Sequence, residues 1–127
     1  MLIGELARRA GTSTRALRYY EANGLLDADR ASNGYRTYGE DDVRVVAEIR
    51  ARLAAGFGLD EIRPFVACLR AGHRTGEVCP DSVAVLRRRL AEVEAGLAEL
   101  GELHRQLSDQ LERAMTRQEG ICGHRPR

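Results

Sequence analysis

Apolar residues recur at helical spacing in several short runs near the start of the chain. The first run, Ile3–Ala10, stops at Gly11, and a second begins after Thr12-Ser13, a pair suited to cap a helix start, and stops at Asn23-Gly24. Two short helices joined by a tight turn are typical of a helix-turn-helix, whose second helix is of a size to enter a DNA major groove.

Residues 27–39 lack helical spacing. Within them, Ser32-Asn33-Gly34 predicts a turn and Tyr35-Arg36-Thr37-Tyr38 a short strand, which together indicate a β-wing. The first 71 residues are therefore expected to form a winged helix-turn-helix domain.

Two more helices are predicted before a linker at residues 72–80. Acids at 40–42 favour a helix start, and the stripe Val43, Val46, Ile49 and Leu53 ends near Gly56-Phe57-Gly58. A fourth helix is expected from Leu59 to Leu69, with Pro64 tolerated because it falls near the first turn.

Residues 81–117 have the plainest pattern in the chain, with apolar positions alternating at three and four. We expect a single long helix, followed by a short tail or effector loop at 118–127. Its stripe is too long to be covered by the preceding domain and therefore requires a partner helix. The predicted dimerisation positions are Leu86, Leu90, Val93, Leu97, Leu100, His104, Leu107 and Leu111. His104 is expected to set helix register rather than to bind a ligand.

Composition narrows the class of protein. A chain of 127 residues has room for one compact core and an extension, and its 43% hydrophobic content includes no run of the roughly 20 apolar residues that span a membrane. The start Met1-Leu2-Ile3-Gly4-Glu5 does not read as a signal peptide, so we expect a cytoplasmic protein whose three cysteines are thiols. The net charge of +1 does not indicate nucleic acid by itself, but all 20 basic residues are Arg, whose forked donors suit phosphate and guanine.

Four motifs, in order, resemble the MerR family of bacterial transcription regulators over nearly the whole chain. They are Ile3-Gly4-Glu5-Leu6-Ala7, Thr14-Arg15-Ala16-Leu17-Arg18-Tyr19-Tyr20-Glu21, Asn33-Gly34-Tyr35-Arg36-Thr37-Tyr38 and Gly56-Phe57-Gly58-Leu59-Asp60-Glu61-Ile62. The fold expected from the residues and the resemblance together is mainly α, a winged helix-turn-helix head with a long C-terminal antiparallel coiled-coil dimerisation helix.

The resemblance also implies a mode of action. Two heads of a homodimer would bind a pseudo-palindromic operator in double-stranded promoter DNA. The dimer would bend and untwist that promoter so that RNA polymerase can use it, activating transcription by changing DNA shape.

The candidate DNA contacts lie on the second helix and in the wing. Arg15 and Arg18 are the strongest by resemblance, with Thr14 beside them. Tyr19 and Tyr20 either donate a hydroxyl to phosphate or close the small core. In the wing Arg36 points to the opposite face from its neighbour Tyr35, so it is the firmer candidate to contact the DNA backbone, and Tyr38 is included with it.

The cysteines leave two interpretations open, a role in sensing a metal ion or a thiol-reactive signal and an inert role. By resemblance, Cys79 stands where metal sensors of the family carry a ligand, and Cys122 and His124 stand in their metal-binding loop; together across a dimer they would suit zinc or another thiophilic ion. The loop's first cysteine is absent, with Ala114 or Met115 near its place, so inert cysteines are the other interpretation. Cys68, on the fourth helix, is expected to be a buried small side chain rather than a ligand.

Two other functional classes fit the sequence less well. An excisionase-like or architectural DNA-bending protein without an effector would share the head, but the long helix favours a dimeric regulator. An enzyme is disfavoured, because the chain has no nucleophile-and-base motif and no GxxxxGK[ST] loop. The iron–sulfur cofactor of some family members is rejected because its cysteine spacing is missing.

Overall fold

The computed structural model is mainly helical, which confirms the predicted fold class. It describes residues 1–30 and 34–122, but not the side chains of Arg30 and of residues 119–122. The elements in chain order are α1 (Ile3–Ala10), α2 (Thr14–Ala22), β1 (Asp29–Arg30), β2 (Arg36–Thr37), α3 (Glu40–Ala54), α4 (Leu59–Arg70) and α5 (Pro80–Cys122).

The predicted helix-turn-helix is confirmed. α1 ends because Gly11 takes a left-handed conformation, at φ 71°, which L-residues with a side chain rarely adopt. Ser13 then caps α2, its hydroxyl accepting a hydrogen bond from the Ala16 N–H at 3.1 Å. The Arg50 side chain donates to the Ala10 carbonyl at 2.9 Å, so α3 holds the turn in place.

The wing is a two-stranded antiparallel hairpin, in which Asp29 pairs with Thr37 and Arg30 with Arg36. Of the predicted turn, Ser32 and Asn33 lie outside the described residues. The strand that leaves the wing is tied to the chain start, because the amino terminus donates to the Tyr38 carbonyl at 2.7 Å.

The core forms where α3 contacts both α1 and α4. The predicted stripe on α3 is correct at Val46 and Ile49, but the structure also buries Val45 and leaves Leu53 37% exposed. A helix covered on two sides buries two adjacent faces, so a single stripe describes it incompletely. The fully buried large side chains are Phe65, Leu6, Leu17, Leu26, Ile49, Ile62, Val45 and Val46.

Pro64 lies deeper in α4 than we predicted. It is the sixth residue of the helix, so it falls in the second turn and removes one backbone hydrogen-bond donor there.

The segment that we expected to be a linker packs against the head. A compact unit runs from Met1 to Val85, and Ser82 and Val85, in the first turns of α5, are buried in it. Gly76 lies so close to α4 that a Cβ on it would meet the Phe65 carbonyl oxygen at 2.8 Å. The second unit, Leu86–Arg127, contains the rest of α5, which begins one residue earlier and ends five residues later than the predicted 81–117.

Candidate functional site

The exposed face of α2 carries three of the predicted DNA contacts. Arg15, Arg18 and Tyr19 are exposed, and their spacing of three and four places them on one side of the helix. Thr14 is half-buried at the helix start. Within the part of the chain that the structure describes, neither Arg15 nor Arg18 has an ion-pair partner. Both side chains are exposed to solvent on this face of α2.

Two predicted tyrosines lie inside the head instead. Tyr20 is 6% exposed and Tyr38 4%. The Tyr20 ring is part of the core, one of the two roles that the sequence left open. The Tyr38 hydroxyl donates to Glu21 Oε2 at 2.6 Å. Burial, followed by this hydrogen bond, raises the pKa of Tyr38 to about 12.

Glu21, near the end of α2, was missed by sequence reasoning although it connects α2 to the wing. One of its carboxylate oxygens accepts from Tyr38 and the other from the Arg36 guanidinium. The side chain of Glu21 is 13% exposed, whereas that of Arg36 is 52% exposed. The sequence did contain a signal for this role, because Glu21 is an acidic residue at the end of a helix whose other charged residues are basic.

The helix and the wing share a surface groove. It is lined by apolar side chains from the chain start and by cationic and aromatic side chains from α2 and the wing, namely Leu2, Ile3, Arg18, Tyr35, Arg36 and Tyr38. Arg18 and Arg36 thus border the same concave surface. A groove lined by guanidinium and aromatic groups beside the exposed face of α2 suits a nucleic-acid backbone.

An ion pair joins α1 to the start of α3. Arg9 donates two hydrogen bonds to the Glu40 carboxylate, each at 2.6 Å. The hydrogen bonds from Arg9 hold the pKa of Glu40 below its ordinary value. Arg9 is thereby engaged within the protein, whereas Arg15 and Arg18 have no ion-pair partner among the residues that the structure describes.

The prediction that the cysteines are free thiols is wrong for two of them. Cys68 is buried, as expected, but it forms a disulfide with Cys79, and their Cα atoms are 5.8 Å apart. Cys68 faces the core at the end of α4, and the loop that packs on α4 brings Cys79 back to it. His73 joins them: one ligand atom from each of the three residues lies within 4.8 Å of the others, a spacing that would hold a metal ion.

The predicted metal set of Cys79, Cys122 and His124 is not brought together by what the structure describes. His124 and the Cys122 side chain lie outside the described residues. Cys79 is the one member whose surroundings are seen, and its neighbours are Cys68 and His73.

The predicted dimerisation stripe is on the surface of α5. Its side chains from Leu90 onward are about half exposed or more, and His104 is also exposed. Leu103 and Met115 extend this apolar surface and were not in the predicted set. The large exposed apolar residues of the stripe are Leu90, Val93, Leu97, Leu100, Leu107 and Leu111.

None of the helices in residues 1–30 and 34–122 combines the length and the apolar character that a membrane span needs.

Comparison with known proteins identifies the family. The family model described as "MerR HTH family regulatory protein" matches residues 1–67, and the one described as "MerR, DNA binding" matches residues 43–110. These matches cover the head and much of α5.

Relatives and a solved structure agree with this match. The chain is 35% identical over 108 residues to "Heavy metal-dependent transcription regulator 2" of Rhizobium meliloti, covering 84% of this chain and 71% of the relative. It is 36% identical over 107 residues to the regulator ZntR of Escherichia coli K12, covering 83% and 74%. The crystal structure of the regulator PbrR691 from Ralstonia metallidurans with lead(II) superposes with a TM-score of 0.63 at 34% identity, covering 86% of this chain and 83% of that one. The chain therefore belongs to the MerR family of helix-turn-helix regulatory proteins and is a DNA-binding transcription regulator.

Proposed function

We propose that this regulator is a homodimer that controls transcription by distorting promoter DNA, and that a thiophilic metal ion or a thiol-reactive signal controls it. The observation that carries the proposal is the exposed face of α2, where Arg15 and Arg18 stand without ion-pair partners among the described residues, beside the wing. Such a regulator acts in the cytoplasm, with promoter DNA and RNA polymerase as its partners, and carries out no chemistry on a substrate.

Dimerisation is supported by the apolar stripe of α5. Side chains such as Leu97 and Leu100, each 64% exposed, remain in water in a single chain. Burying each leucine against a second copy contributes roughly 1.5 to 3 kcal/mol. We propose that two α5 helices pair in antiparallel fashion through this stripe, so that the two heads bind the two halves of one operator.

The free energy needed to distort the promoter is of a size that a bound signal can offset. Bending or untwisting a promoter site costs on the order of 1 to 10 kcal/mol. A signal that changes how the head is held shifts the fraction of bound DNA that is distorted, because it needs only to favour one of two protein states by a few kcal/mol.

The metal response is supported by the donors in the head. The relative from R. meliloti is named as heavy metal-dependent, and PbrR691 was solved with lead(II). In this chain Cys68, His73 and Cys79 offer two sulfurs and one imidazole to one ion once the disulfide between the cysteines is reduced. Sulfur and imidazole are the ligands that zinc and other thiophilic ions prefer, so the residues present fit such a metal.

Fluorescence anisotropy with two labelled duplexes tests the core of this proposal. One duplex carries the region upstream of the gene for this chain and the other the same bases in scrambled order. We expect tighter binding to the first, with an affinity that falls as salt rises because arginines displace counterions from phosphates. Equal affinities for both duplexes at every salt concentration would refute the proposal.

A second measurement separates the regulator from an excisionase-like DNA-bending protein. The upstream duplex, labelled at both ends, reports bending by energy transfer. A regulator is expected to change the transfer efficiency when zinc is added to the reduced complex, whereas an architectural protein bends DNA to the same extent with and without it.

A further inference from the structure

We propose that Cys68, His73 and Cys79 of one subunit form, once reduced, a binding site for a thiophilic divalent cation such as zinc. This inference deepens the metal response proposed above and rests on it for its regulatory meaning. It differs from the ligand set predicted from the sequence, because it joins Cys79 to two residues of its own head rather than to Cys122 and His124.

The donor geometry carries the proposal. Ligand atoms of all three residues lie within 4.8 Å of one another. Two sulfurs on one tetrahedral zinc ion are about 3.8 Å apart, given Zn–S bonds of about 2.3 Å. Once the disulfide is broken, the two sulfurs need to move apart only to this separation to share one ion.

The loop that presents these donors is held by contacts other than the disulfide. The Arg44 guanidinium donates to the Arg74 carbonyl at 2.8 Å and to the His73 carbonyl at 3.4 Å. The His73 N–H donates to the Cys68 carbonyl at 3.4 Å. Since these bonds use neither a sulfur nor the imidazole, we expect them to persist in the reduced protein and in His73→Ala.

The far side of the loop is anchored as well. Arg52 forms ion pairs with Glu77 at 3.0 Å and with Glu48 at 2.6 Å, and its guanidinium stacks 4.0 Å from the centre of the Phe65 ring. Gly76 packs against the Phe65 backbone. The site is thus preorganised, which lowers the entropy lost when an ion binds.

The accessibility of the three donors differs in a way that suits an exchangeable ion. Cys68 is 1% exposed, Cys79 is half-buried and His73 is exposed. Three protein ligands leave the fourth position of a tetrahedral ion to water, as in zinc sites that exchange ligands, whereas structural sites are closed by four. An ion can enter from the exposed His73 side and reach the buried sulfur of Cys68.

The disulfide and the metal site exclude each other, because both use the same two sulfurs. A dithiol reductant converts the disulfide to two thiols and is itself oxidised to a cyclic disulfide. Zinc then displaces one proton from each thiol and bonds to both sulfurs and to the imidazole. A zinc ion bound at this site would link the end of α4 to the start of α5 in the reduced protein, as the disulfide does in the oxidised protein.

Zinc titration of the purified full-length chain against a competing chelator, without DNA, tests the site. We expect the reduced protein to bind one zinc ion per subunit and the disulfide form to bind none there. Cobalt(II) in place of zinc should give sulfur-to-cobalt charge-transfer absorption in the reduced protein. Zinc binding of equal strength by the oxidised and reduced forms would overturn the proposal.

Matched variants distinguish the two ligand sets. His73→Ala removes an exposed ligand, and we expect it to weaken zinc binding by more than about tenfold, since even the loss of an outer-shell partner costs that much. Cys68→Ala should abolish zinc binding. If Cys68→Ala fails to fold, His73→Ala still tests the site. The double variant Cys122→Ser/His124→Ala should bind zinc as the wild type does. If the double variant loses zinc binding while His73→Ala keeps it, the ion belongs to the set of Cys79, Cys122 and His124.

Limited trypsin digestion supplies a second readout. Arg74 is exposed within the loop between the two cysteines. Zinc should slow cleavage after Arg74 in the reduced wild type but not in His73→Ala, and no slowing in the wild type would count against the site. Because neither experiment contains DNA, the site can fail while promoter binding is retained, and the reverse.

Discussion

At the scale of single residues, the structure separates arginines and tyrosines that look alike in the sequence. Arg18 and Arg36 border one groove, yet Arg36 is paired with Glu21 while Arg18 has no ion-pair partner among the described residues. Tyr19 is exposed, whereas its neighbour Tyr20 is in the core. Such distinctions set which side chains can reach DNA.

Arg18→Ala should weaken binding to the upstream duplex by about 1 to 3 kcal/mol, because a guanidinium on the exposed face of α2 is lost. Arg105→Ala is the control, since Arg105 is 68% exposed on α5 and its removal changes the net charge equally. Anisotropy titrations of both variants measure the difference. Equal losses would mean that overall charge, rather than the face of α2, determines affinity.

Tyr38 should make the head less stable in alkali. The folded-state pKa of about 12 lies above the ordinary value of 10.0, so the unfolded chain releases the proton first. Stability that is complete below pH 10 is therefore expected to fall as the pH rises from 10 to 12. Urea unfolding at a series of pH values measures this fall.

Tyr38→Phe should flatten that alkaline dependence and lower stability near neutral pH by about 1 kcal/mol, since the hydrogen bond to Glu21 is lost. Tyr19→Phe, at a side chain 56% exposed, is the matched control and should keep the wild-type slope. An unchanged slope in Tyr38→Phe would show that another group is responsible.

At the scale of elements, helix bounds followed from the sequence wherever the signals were local. Gly11 and Ser13 mark the end of α1 and the start of α2, because a left-handed glycine and a capping hydroxyl act within one turn of the chain. The sequence predicted residues 72–80 as a linker and did not reveal that this segment packs against α4. The close contact of Gly76 with Phe65 depends on residues that only folding brings together.

Ser13→Ala should lower the free energy of unfolding by about 1 kcal/mol, because α2 loses its cap. Ser108→Ala provides the comparison: Ser108 is exposed within α5, where alanine is the better helix former, so stability should hold or rise slightly. Thermal or urea denaturation followed by circular dichroism distinguishes the two. Equal stability of both variants would mean that the Ser13 hydroxyl contributes nothing.

At the scale of the whole molecule, the two compact units differ in whether they bury their own apolar side chains. Met1–Val85 has a core of its own, whereas the unit from Leu86 onward is, in its described part, one helix with an exposed apolar stripe. A stripe of this kind needs a second helix to be removed from water, and that is the physical basis of the proposed dimer.

Leu97→Asp should convert the dimer to monomers and reduce operator affinity, because a carboxylate would have to be buried in the apolar stripe. Ala98→Asp introduces the same side chain one residue away, off the stripe, and should remain dimeric. Sedimentation velocity at micromolar concentration measures both. A wild-type chain that sediments as a monomer would remove the proposed dimer and its operator geometry.

The sequence by itself determined the order of elements, the helix-turn-helix, the wing and the apolar stripe of α5, because periodicity and capping are properties of neighbouring residues. Only the tertiary structure decided that Tyr38 turns inward to Glu21 and that Cys68, His73 and Cys79 meet. These contacts depend on how α2 packs beside the wing and how the loop after α4 folds back on it. Spacing along the chain carries no information about such distances until the core has formed.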